Sequence, residues 1–299
     1  MTDITNQIAA KYLGKRVSGD TNYNPEFLVA VPRCANREQY GILNEKLPFL
    51  GYDTWHAYEF STLTDNGVPV TRLLKLCYSC ESEFIVESKS LKLYLNSFNM
   101  SKMGESIEKA LENSLRIIKK DLSELLKIEV NANFIQNDSQ KVYIFENFKN
   151  ILDITDESKI QINKFNEAPE LIKYENLSAV NSYYLHFDSL RSNCRVTHQP
   201  DFGDAFIYYK SKKHFNEESL VEYLTSFRSE NHFHEECCEM IYKRLFDLLD
   251  KDDELFVAAL YTRRGGIDIC PSRWSVNCKI EDVQNLLDTT IFARNGVKQ

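Results

Sequence analysis

The sequence predicts an α+β protein in which antiparallel strands and long helices recur in two similar halves. An Asn66-Gly67 pair separates two runs rich in β-forming residues, which is the strongest short-range signal for a β-hairpin. Apolar side chains follow a helical period over residues 103–128. The segment 90–98 recurs at 219–227, in both cases after a predicted hairpin and before a long helix. We therefore expect two tandem α+β modules.

The first half begins with an irregular stretch, residues 1 to about 55, and continues as a hairpin, a long helix and a second hairpin. The polar stretch 83–100 before the helix carries many groups suited to a ligand. Asn137-Asp138-Ser139 is the predicted turn of the second hairpin. The predicted strands are 28–32, 55–63, 68–78, 130–135 and 141–145. The apolar face of the helix consists of Ile107, Leu111, Ile118, Leu122 and Leu125.

The second half restarts the pattern after a charged, weakly patterned stretch, residues 147–175. We interpret this stretch as a connection, which divides the chain into domains 1–150 and 151–299. The predicted strands are 183–190, 205–210, 254–262 and 267–271, and the predicted helices are 215–227 and 235–249. The apolar face of the last helix consists of Cys237, Ile241, Leu245 and Leu248.

The two copies of the repeat keep different polar residues. Glu87-Ser88-Lys89 precedes the first copy, whereas His232-Phe233-His234-Glu235 follows the second. At the same spacing of 129 residues, Cys194 corresponds to Asp65, so the first half has no thiol there. Each half thus holds a complementary part of one site. This predicts a composite site between the modules rather than a site within either module.

The composition argues against several function classes. The 299 residues carry a formal net charge of −8, which is unfavourable for broad nucleic-acid binding because that needs a basic face. No apolar run reaches the ~18 residues that a membrane helix requires. The first residues are neither basic nor apolar enough for a signal peptide. We expect a cytoplasmic protein without membrane contact, whose eight cysteines are reduced thiols.

The cysteine spacing does not favour a metal site. Cys77 and Cys80 form one CxxC pair, but no second pair follows. Cys77 also belongs to an apolar run that is typical of a strand end. We expect no bound metal, and we expect Cys237 to be part of the core.

Cys194 is the candidate nucleophile, seven residues before Asp201. Pro200 and Gly203 predict a turn that folds the carboxyl group back toward the thiol. Free cysteine is only a few per cent thiolate at neutral pH, so a nucleophilic thiol needs a proton-handling group. Asp201 or His198 fits that requirement. The alternative is that Cys194 is a buried core thiol beside an ordinary turn.

Four motifs occur in register and in order from about residue 55. They are 87–94, read Glu-Ser-Lys-Ser-Leu-Lys-Leu-Tyr; Ser192-Asn193-Cys194 with Asp201; Phe233-His234-Glu235; and 263–268, read Arg-Arg-Gly-Gly-Ile-Asp. Together they resemble the NADPH-dependent 7-cyano-7-deazaguanine reductases, the nitrile reductases of queuosine biosynthesis, in their two-module form. The resemblance implies tandem tunnel-fold modules like those of GTP cyclohydrolase I, antiparallel sheets backed by helices, a homodimer, and a free base as substrate rather than tRNA.

The resemblance also implies roles for individual residues. Cys194 forms a covalent thioimide with the nitrile, Asp201 donates protons, and His234 assists with a pKa near the working pH. The implied substrate contacts are Val86, Glu87, Ser88, His234 and Glu235, with Glu235 accepting two N–H groups of the guanine-like edge. The implied NADPH contacts are Ser88, Lys89, Arg264 and Gly265. No GxGxxG opens a helix after a strand, so the NADPH site is not of the Rossmann type.

Two alternatives stay open on the sequence alone. A metal-dependent cyclohydrolase on the same fold would need a Cys/His zinc set, which the spacing does not provide. A non-catalytic purine or pterin binder would use the same carboxylates, with Cys194 as core packing.

Overall fold

The computed structural model describes Gln7, residues 22–136, residues 139–296 and Lys298. Most of the predicted irregular stretch before residue 22 therefore lies outside the described residues. The same is true of Asn137 and Asp138 in the predicted turn.

Thirteen strands and seven α-helices occur within the described ranges. The strands are β1 Ala30–Pro32, β2 Leu50–Leu63, β3 Pro69–Ser79, β4 Phe84–Val86, β5 Val130–Ile135, β6 Lys141–Tyr143, β7 Lys149–Asn150, β8 Tyr174–Cys194, β9 Pro200–Phe215, β10 Asn231–His232, β11 Glu254–Tyr261, β12 Ile267–Trp274 and β13 Phe292–Arg294. The helices are α1 Cys34–Arg37, α2 Ser88–Asn96, α3 Ile107–Leu126, α4 Ile151–Ile154, α5 Glu217–Thr225, α6 His234–Phe246 and α7 Glu281–Leu287.

A nine-stranded sheet runs through both halves of the described chain. Its order is β10-β8-β9-β11-β12-β2-β3-β5, and β7 also pairs with β8. Neighbouring strands are antiparallel, except that β7 and β10 run parallel to β8. Two small sheets, β1 with β4 and β6 with β13, complete the strand pairing of the described residues. The predicted α+β class with mainly antiparallel sheets is confirmed.

The two halves meet where β12 pairs with β2. The register runs from Ile267 opposite Ala57 to Trp274 opposite Leu50. Backbone hydrogen bonds, rather than a flexible linker, therefore join a strand from the end of the chain to one from its beginning. This junction is the place where a site composed of both halves can form.

Each half of the sheet is covered by its own pair of helices. The α2 and α3 helices bury apolar side chains such as Leu91 and Ile118 against β2, β3 and β5. The α5 and α6 helices do the same with Leu220 and Ile241 against β8, β9 and β11. Full burial of one such side chain contributes roughly 1.5–3 kcal/mol, so these apolar faces hold the helices on the sheet.

The predicted helix faces agree with the structure in part. In α3, Ile118 and Leu122 are buried and Leu111 and Leu125 are partly buried, as predicted, but Ile107 is 43% exposed. Ile107 is the first residue of the helix, directly after the N-cap Ser106. In α6 the predicted face is confirmed for the three residues within the helix, all fully buried: Cys237, Ile241 and Leu245.

The predicted hairpin at Asn66-Gly67 is confirmed. Thr64 N–H donates to the Val68 carbonyl at 2.9 Å, and Gly67 adopts φ +87°. A positive φ is readily available to glycine because it has no Cβ.

The prediction that Pro200 and Gly203 mark a turn is wrong. Both residues lie in β9, and the turn after Cys194 covers only residues 195–199. Pro200 is the first residue of the strand, a position that tolerates proline. Gly203 pairs with Tyr261 of β11, and a Cβ there would lie 3.1 Å from the Tyr261 ring, so glycine permits close strand contact.

Candidate active site

A cavity of about 270 Å³ opens beside the junction of the two halves. The side chains of Trp55 on β2 and of Ile267 and Ile269 on β12 line its wall. All ten residues that the sequence predicts for the site also line it: Val86, Glu87, Ser88, Lys89, Cys194, Asp201, His234, Glu235, Arg264 and Gly265. Residues more than a hundred positions apart in the chain thus share one cavity, although their individual roles stay predictions.

Cys194 is the last residue of β8 and is half-buried. It is a free thiol. A tight loop follows it, because the Cys194 N–H donates to the Gln199 carbonyl at 2.8 Å and the His198 N–H donates to the Cys194 carbonyl at 2.9 Å. The alternative of a walled-off core thiol therefore does not describe Cys194, which lines an open cavity.

His198 lies outside the cavity lining, so it does not meet the requirement for a proton-handling neighbour of the thiol. Its side chain is exposed, and its ring Nδ1 lies 2.7 Å from Oδ1 of Asn231. Its φ of +56° is the left-handed conformation that closes the tight loop. We attribute a structural role in the loop to His198.

Asp201 lies between two basic side chains at the cavity wall. One carboxylate oxygen pairs with Arg264, and Oδ2 lies 3.2 Å from Nε2 of His234. The carboxylate is only 3% exposed, so these partners replace the water it has lost. Of the two proton-handling groups considered from the sequence, Asp201 is the one at the cavity.

His234 stacks face to face on Tyr261, with ring centroids 3.7 Å apart. Burial lowers the pKa of His234 to about 3, so the ring is neutral at pH 7. A neutral ring carrying its proton on Nε2 donates to Asp201. The sequence-based expectation of a pKa near the working pH does not hold, because burial keeps the His234 ring neutral.

Glu235 lies in the first turn of α6, where its carboxyl group is 2% exposed. Burial, together with the nearby charge of Asp53, raises the pKa of Glu235 to about 8. Its Oε1 has no hydrogen-bond partner among the residues that the structure describes. A buried acceptor without a donor is costly, so this oxygen is available to a ligand N–H group.

A buried ion cluster supports the helix that carries Glu235. Arg33 and Arg273 both pair with Asp53, the latter at 2.9 Å, and Arg273 also lies 2.9 Å from Glu239 of α6. Arg33 directly precedes α1, Asp53 lies on β2, Arg273 lies on β12 and Glu239 lies on α6. Removing one member of such a cluster leaves an unpaired buried charge, which costs roughly 3–5 kcal/mol. The cluster therefore fixes α6 across the junction.

Glu87 is the N-cap of α2 and lines the same cavity. Oε1 accepts the Lys89 N–H at 2.9 Å, and Oε2 accepts the Ser90 N–H at 2.7 Å. Burial raises the pKa of Glu87 in spite of these bonds. Glu87 is therefore a buried helix cap and not a solvated surface residue.

A cationic rim surrounds one side of the cavity. Lys89 and Arg264 were predicted there, and Lys92 joins them one helical turn after Lys89. Lys92 Nζ donates to the carbonyl of Gly265, which adopts φ +57°. Three cations beside a glycine turn suit a ligand that carries several phosphate groups, because they supply charge and allow close backbone approach. The rim therefore fits the phosphates of a dinucleotide.

Eight lining residues were not assigned to the site by the sequence analysis, and three of them are Trp55, Lys92 and His232. Lys92 lies three residues after Lys89 in the quoted motif, and helical spacing could have placed both on one face. His232 lies two residues before His234 and is paired with Cys194 across β10 and β8. Nothing in the sequence marked Trp55, since its contact with the cavity depends on the pairing of β12 with β2.

Within the described residues, one group of His, Cys and acidic side chains is compact enough to hold a metal ion: His56, Asp268 and Cys270. None of the three lines the cavity. The group is hydrogen-bonded internally, with His56 Nδ1 2.7 Å from Asp268 and the Tyr58 hydroxyl donating to Asp268 at 2.6 Å. Among the described residues, this group therefore provides no metal ligands at the cavity for the metal-dependent cyclohydrolase considered from the sequence.

No helix within the described residues combines the length and the apolar character needed to span a bilayer. The cytoplasmic location expected from the sequence stays a prediction.

Comparison with known families defines the class of protein first. Residues 20–134 match a family model described as "Nitrile reductase, 7-cyano-7-deazaguanine-reductase N-term". Residues 200–279 match a model described as "QueF-like protein". The matched ranges contain nine of the ten predicted site residues, and Cys194 lies between the two ranges.

Individual relatives extend the similarity over nearly the whole chain. The chain is 37% identical over 275 residues to the NADPH-dependent 7-cyano-7-deazaguanine reductase of Legionella pneumophila (strain Corby), covering 92% of each protein. The enzyme of that name from Colwellia psychrerythraea is 36% identical over 266 residues, covering 88% of this chain and 91% of the relative. That from Rickettsia bellii (strain OSU 85-389) is 39% identical over 262 residues, covering 87% and 91%. The chain belongs to the NADPH-dependent 7-cyano-7-deazaguanine reductase family, which confirms the resemblance.

Proposed function

We propose that the chain uses NADPH to reduce the nitrile of 7-cyano-7-deazaguanine to an aminomethyl group, a step of queuosine biosynthesis. One observation carries the proposal most directly. A half-buried free thiol, Cys194, shares a cavity with the paired Asp201 and His234 and with the buried carboxyl group of Glu235. This combination offers a nucleophile, a proton carrier and a base-binding acceptor within one cavity.

Recognition of the base rests on Glu235 and Glu87. The guanine-like edge of the substrate presents a ring N–H and an exocyclic amino group, and an ionised carboxylate accepts both. Glu235 Oε1 lacks a donor in the described structure, so a ligand N–H would satisfy it. Glu87 retains lone pairs beyond those used by Lys89 and Ser90. Each charge-assisted bond contributes about 1.5–3 kcal/mol.

The first chemical step is addition of the Cys194 thiol to the nitrile. The sulfur bonds to the nitrile carbon, one C–N π bond breaks, and the nitrogen takes the proton that the thiol releases. The product is a thioimide on Cys194. Asp201 carries the proton between sulfur and nitrogen, and the Nε2–H of His234 holds its carboxylate in place. Covalent addition divides one difficult reduction into easier steps.

Two reductions complete the reaction. When bound, NADPH supplies one hydride in each reduction, and two cofactor molecules are consumed per nitrile. After the first reduction the C–S bond breaks, which returns the thiol of Cys194 and leaves an imine; the second reduction gives the amine. Each reduction also needs a proton on nitrogen, for which Asp201 is the proposed donor. Lys89, Lys92, Arg264 and the Gly265 backbone would hold the cofactor phosphates.

Mass spectrometry of the intact protein tests this proposal. Protein mixed with the nitrile in the absence of NADPH should gain the mass of one substrate molecule, and Cys194→Ala should gain none. The control Cys34→Ala removes the other half-buried thiol and should still form the adduct. An unmodified wild-type protein that nevertheless binds the base would instead support the non-catalytic purine binder.

We also propose that the chain consists of tandem tunnel-fold modules, residues 1–150 and 151–299, and assembles as a homodimer. The paired helices on each half of the sheet support two modules. The first half of β8 supports an interface, because Tyr174, Val180 and Tyr184 are each at least 40% exposed on a strand near the sheet edge. Light scattering after gel filtration should give twice the chain mass of 34.9 kDa. A mass of one chain at micromolar concentration would contradict the dimer.

A further inference from the structure

One carboxylate outside the proposed chemistry connects the cysteine to the base-binding helix. Glu236, next to Glu235 in α6, accepts on Oε1 a hydrogen bond from Arg195 Nη1 at 2.5 Å. Its Oε2 accepts the Phe233 N–H at 3.0 Å and lies 3.3 Å from Nδ1 of His232. All three donors lie beside residues proposed to act on the substrate. We call Arg195, His232 and Glu236 the thiol clasp.

The clasp links the two chain segments that must keep a fixed distance during thiol addition. Arg195 directly follows Cys194, and Glu236 directly follows Glu235. The ion pair between them is almost fully buried, with side-chain exposures of 7% and 8%. Water therefore screens this pair poorly, and its geometry is held more rigidly than that of a surface pair.

His232 strengthens the same link. It pairs with Cys194 in the parallel register of β10 and β8, so both side chains lie on one face of the sheet. Its Nε2 lies 3.0 Å from Glu230 and 3.3 Å from the Tyr40 hydroxyl. Burial alone would lower the pKa of His232, but hydrogen bonds to Glu230 and Glu236 outweigh it and raise the pKa to about 9. His232 is therefore a cation between two carboxylates at neutral pH.

We propose that Arg195 and His232, both held by Glu236, are positioning residues that set the distance of the Cys194 sulfur from a base bound at Glu235. This inference rests on the proposed thiol addition. The clasp lies beside the reacting groups and need not touch the substrate. It acts on the rate of bond formation because a displacement of about 1 Å can cost on the order of a hundredfold in rate.

The test separates thiol addition from base binding. In Arg195→Met, formation of the Cys194 adduct in single-turnover experiments without NADPH should slow by about 10- to 100-fold. The dissociation constant for 7-deazaguanine, which lacks the nitrile, should stay within about twofold, since Glu235 and Glu87 remain. Glu236→Gln should produce the same selective loss, and the double variant should be no slower than the slower single variant.

The matched control is Arg244→Met. Arg244 lies near the other end of α6, pairs with Glu167 at 2.9 and 3.2 Å and does not line the cavity. It should lower the melting temperature about as much as Arg195→Met and leave the adduct rate unchanged. A wild-type adduct rate in Arg195→Met would overturn the inference. So would an equal loss of adduct rate and of 7-deazaguanine affinity, because the clasp would then maintain the whole cavity.

Two further measurements keep the result interpretable. If Arg195→Met does not fold, Arg195→Lys retains the charge without the planar guanidinium and should show the same selective loss. If the wild-type protein forms no adduct at all, the proposed function fails rather than the clasp. The alkylation rate of Cys194 by iodoacetamide, read by peptide mapping, still compares the variants in that case. Equal alkylation rates would overturn the clasp independently.

Discussion

The helices α2 and α5 are held by the same hydrogen bonds, yet their caps differ in chemistry. Ser90 Oγ donates to the carbonyl of the cap Glu87, as Ser219 Oγ does to that of the cap Asn216. In each half the same hydroxyl also accepts a backbone N–H from the preceding segment, at 3.1 Å in the first half and 3.0 Å in the second.

The two caps show what capping requires and what it does not. Asn216 caps α5 through one bond to the Ser219 N–H at 2.9 Å and is exposed. Asparagine therefore suffices for the structural task. Glu87 performs the same task with a buried carboxylate whose pKa is raised by burial, which is an unfavourable choice for a cap alone. The difference supports the proposal that the charge of Glu87 serves a ligand.

The equivalence extends to the segments that precede these helices. The short 3-10 helices Pro25–Phe27 and Pro169–Leu171 each precede the backbone donor to the serine hydroxyl. The second lies inside the predicted connection 147–175. That stretch thus contains folded structure that matches the first half, at a longer spacing than the 129 residues of the detected repeat.

The largest expected effect concerns Asp201, in the half of the chain that carries the proposed nucleophile Cys194. Asp201→Ala should lower kcat by about 100- to 10,000-fold, because the proton route to sulfur and nitrogen is lost. The melting temperature should change little, since the strand backbone is unaffected. The control Asp204→Asn alters a buried aspartate of the same strand that does not line the cavity. A near-normal rate in Asp201→Ala would mean that the proton route is misassigned.

The next largest effect tests the two caps directly. Glu87→Asn gives α2 the cap of α5, so the melting temperature should stay nearly constant. Affinity for the base should fall by about 10- to 100-fold, because one charge-assisted acceptor is lost. The reciprocal variant Asn216→Glu is the control and should leave affinity unchanged. Unchanged base affinity in Glu87→Asn would show that its charge does not serve this ligand.

The next prediction concerns the pH dependence of base affinity. Glu87 accepts two backbone N–H groups, whereas Oε1 of Glu235 accepts no hydrogen bond within the described structure. With the proposed role of Glu235 and its raised pKa of about 8, we expect the ligand-free protein to lose a proton when it binds the base. Base affinity should therefore rise with pH by up to about tenfold per unit below pH 8 and level off above it. Calorimetry in buffers of different ionisation enthalpy should detect the released proton.

Glu235→Gln is the control for that prediction. Its affinity for the base should be low and independent of pH. The empty wild-type protein should lose stability as pH rises from about 4.5 to 8, because the folded state favours protonated Glu235. The glutamine variant should lack that loss. Equal slopes of melting temperature against pH in the two proteins would contradict the raised pKa.

The smallest expected effect concerns the equivalent serine contacts that occur within each half. Ser90→Ala and Ser219→Ala each remove one buried hydroxyl that bonds the preceding segment, at a cost of about 1 kcal/mol. Each should lower the melting temperature by about 2–4 °C. A clearly larger fall for one of them, in differential scanning calorimetry, would show that the two halves are less alike than their contacts indicate.

Much of the fold could be predicted from local patterns. The hairpin at Asn66-Gly67, the helix α3 and the repeat around Ser90 and Ser219 all depend on residues close in sequence. The extent of β8 and β9 could not be predicted in this way. Strand ends depend on neighbouring strands, and β9 continues through Pro200 and Gly203 because Gly203 pairs with Tyr261 of β11.

The site shows the same division. Cys194 could be selected from the sequence by its residue type, and Glu87 and Glu235 through the resemblance of their motifs to a known family. Their protonation could not, because a pKa depends on burial and on charges brought in from elsewhere. The pKa of His234 is lowered by burial, and that of Glu235 is raised by burial and Asp53.

By itself, the sequence determined which side chains are available for chemistry, the α+β class and the presence of a repeat. It did so because helical period, turn residues and reactive groups are properties of neighbouring positions. Only the tertiary structure decided that β12 joins β2, that one cavity collects side chains from both halves, and that Glu236 connects the cysteine loop to α6. These contacts join residues far apart in the chain, so their geometry and electrostatics exist only after folding.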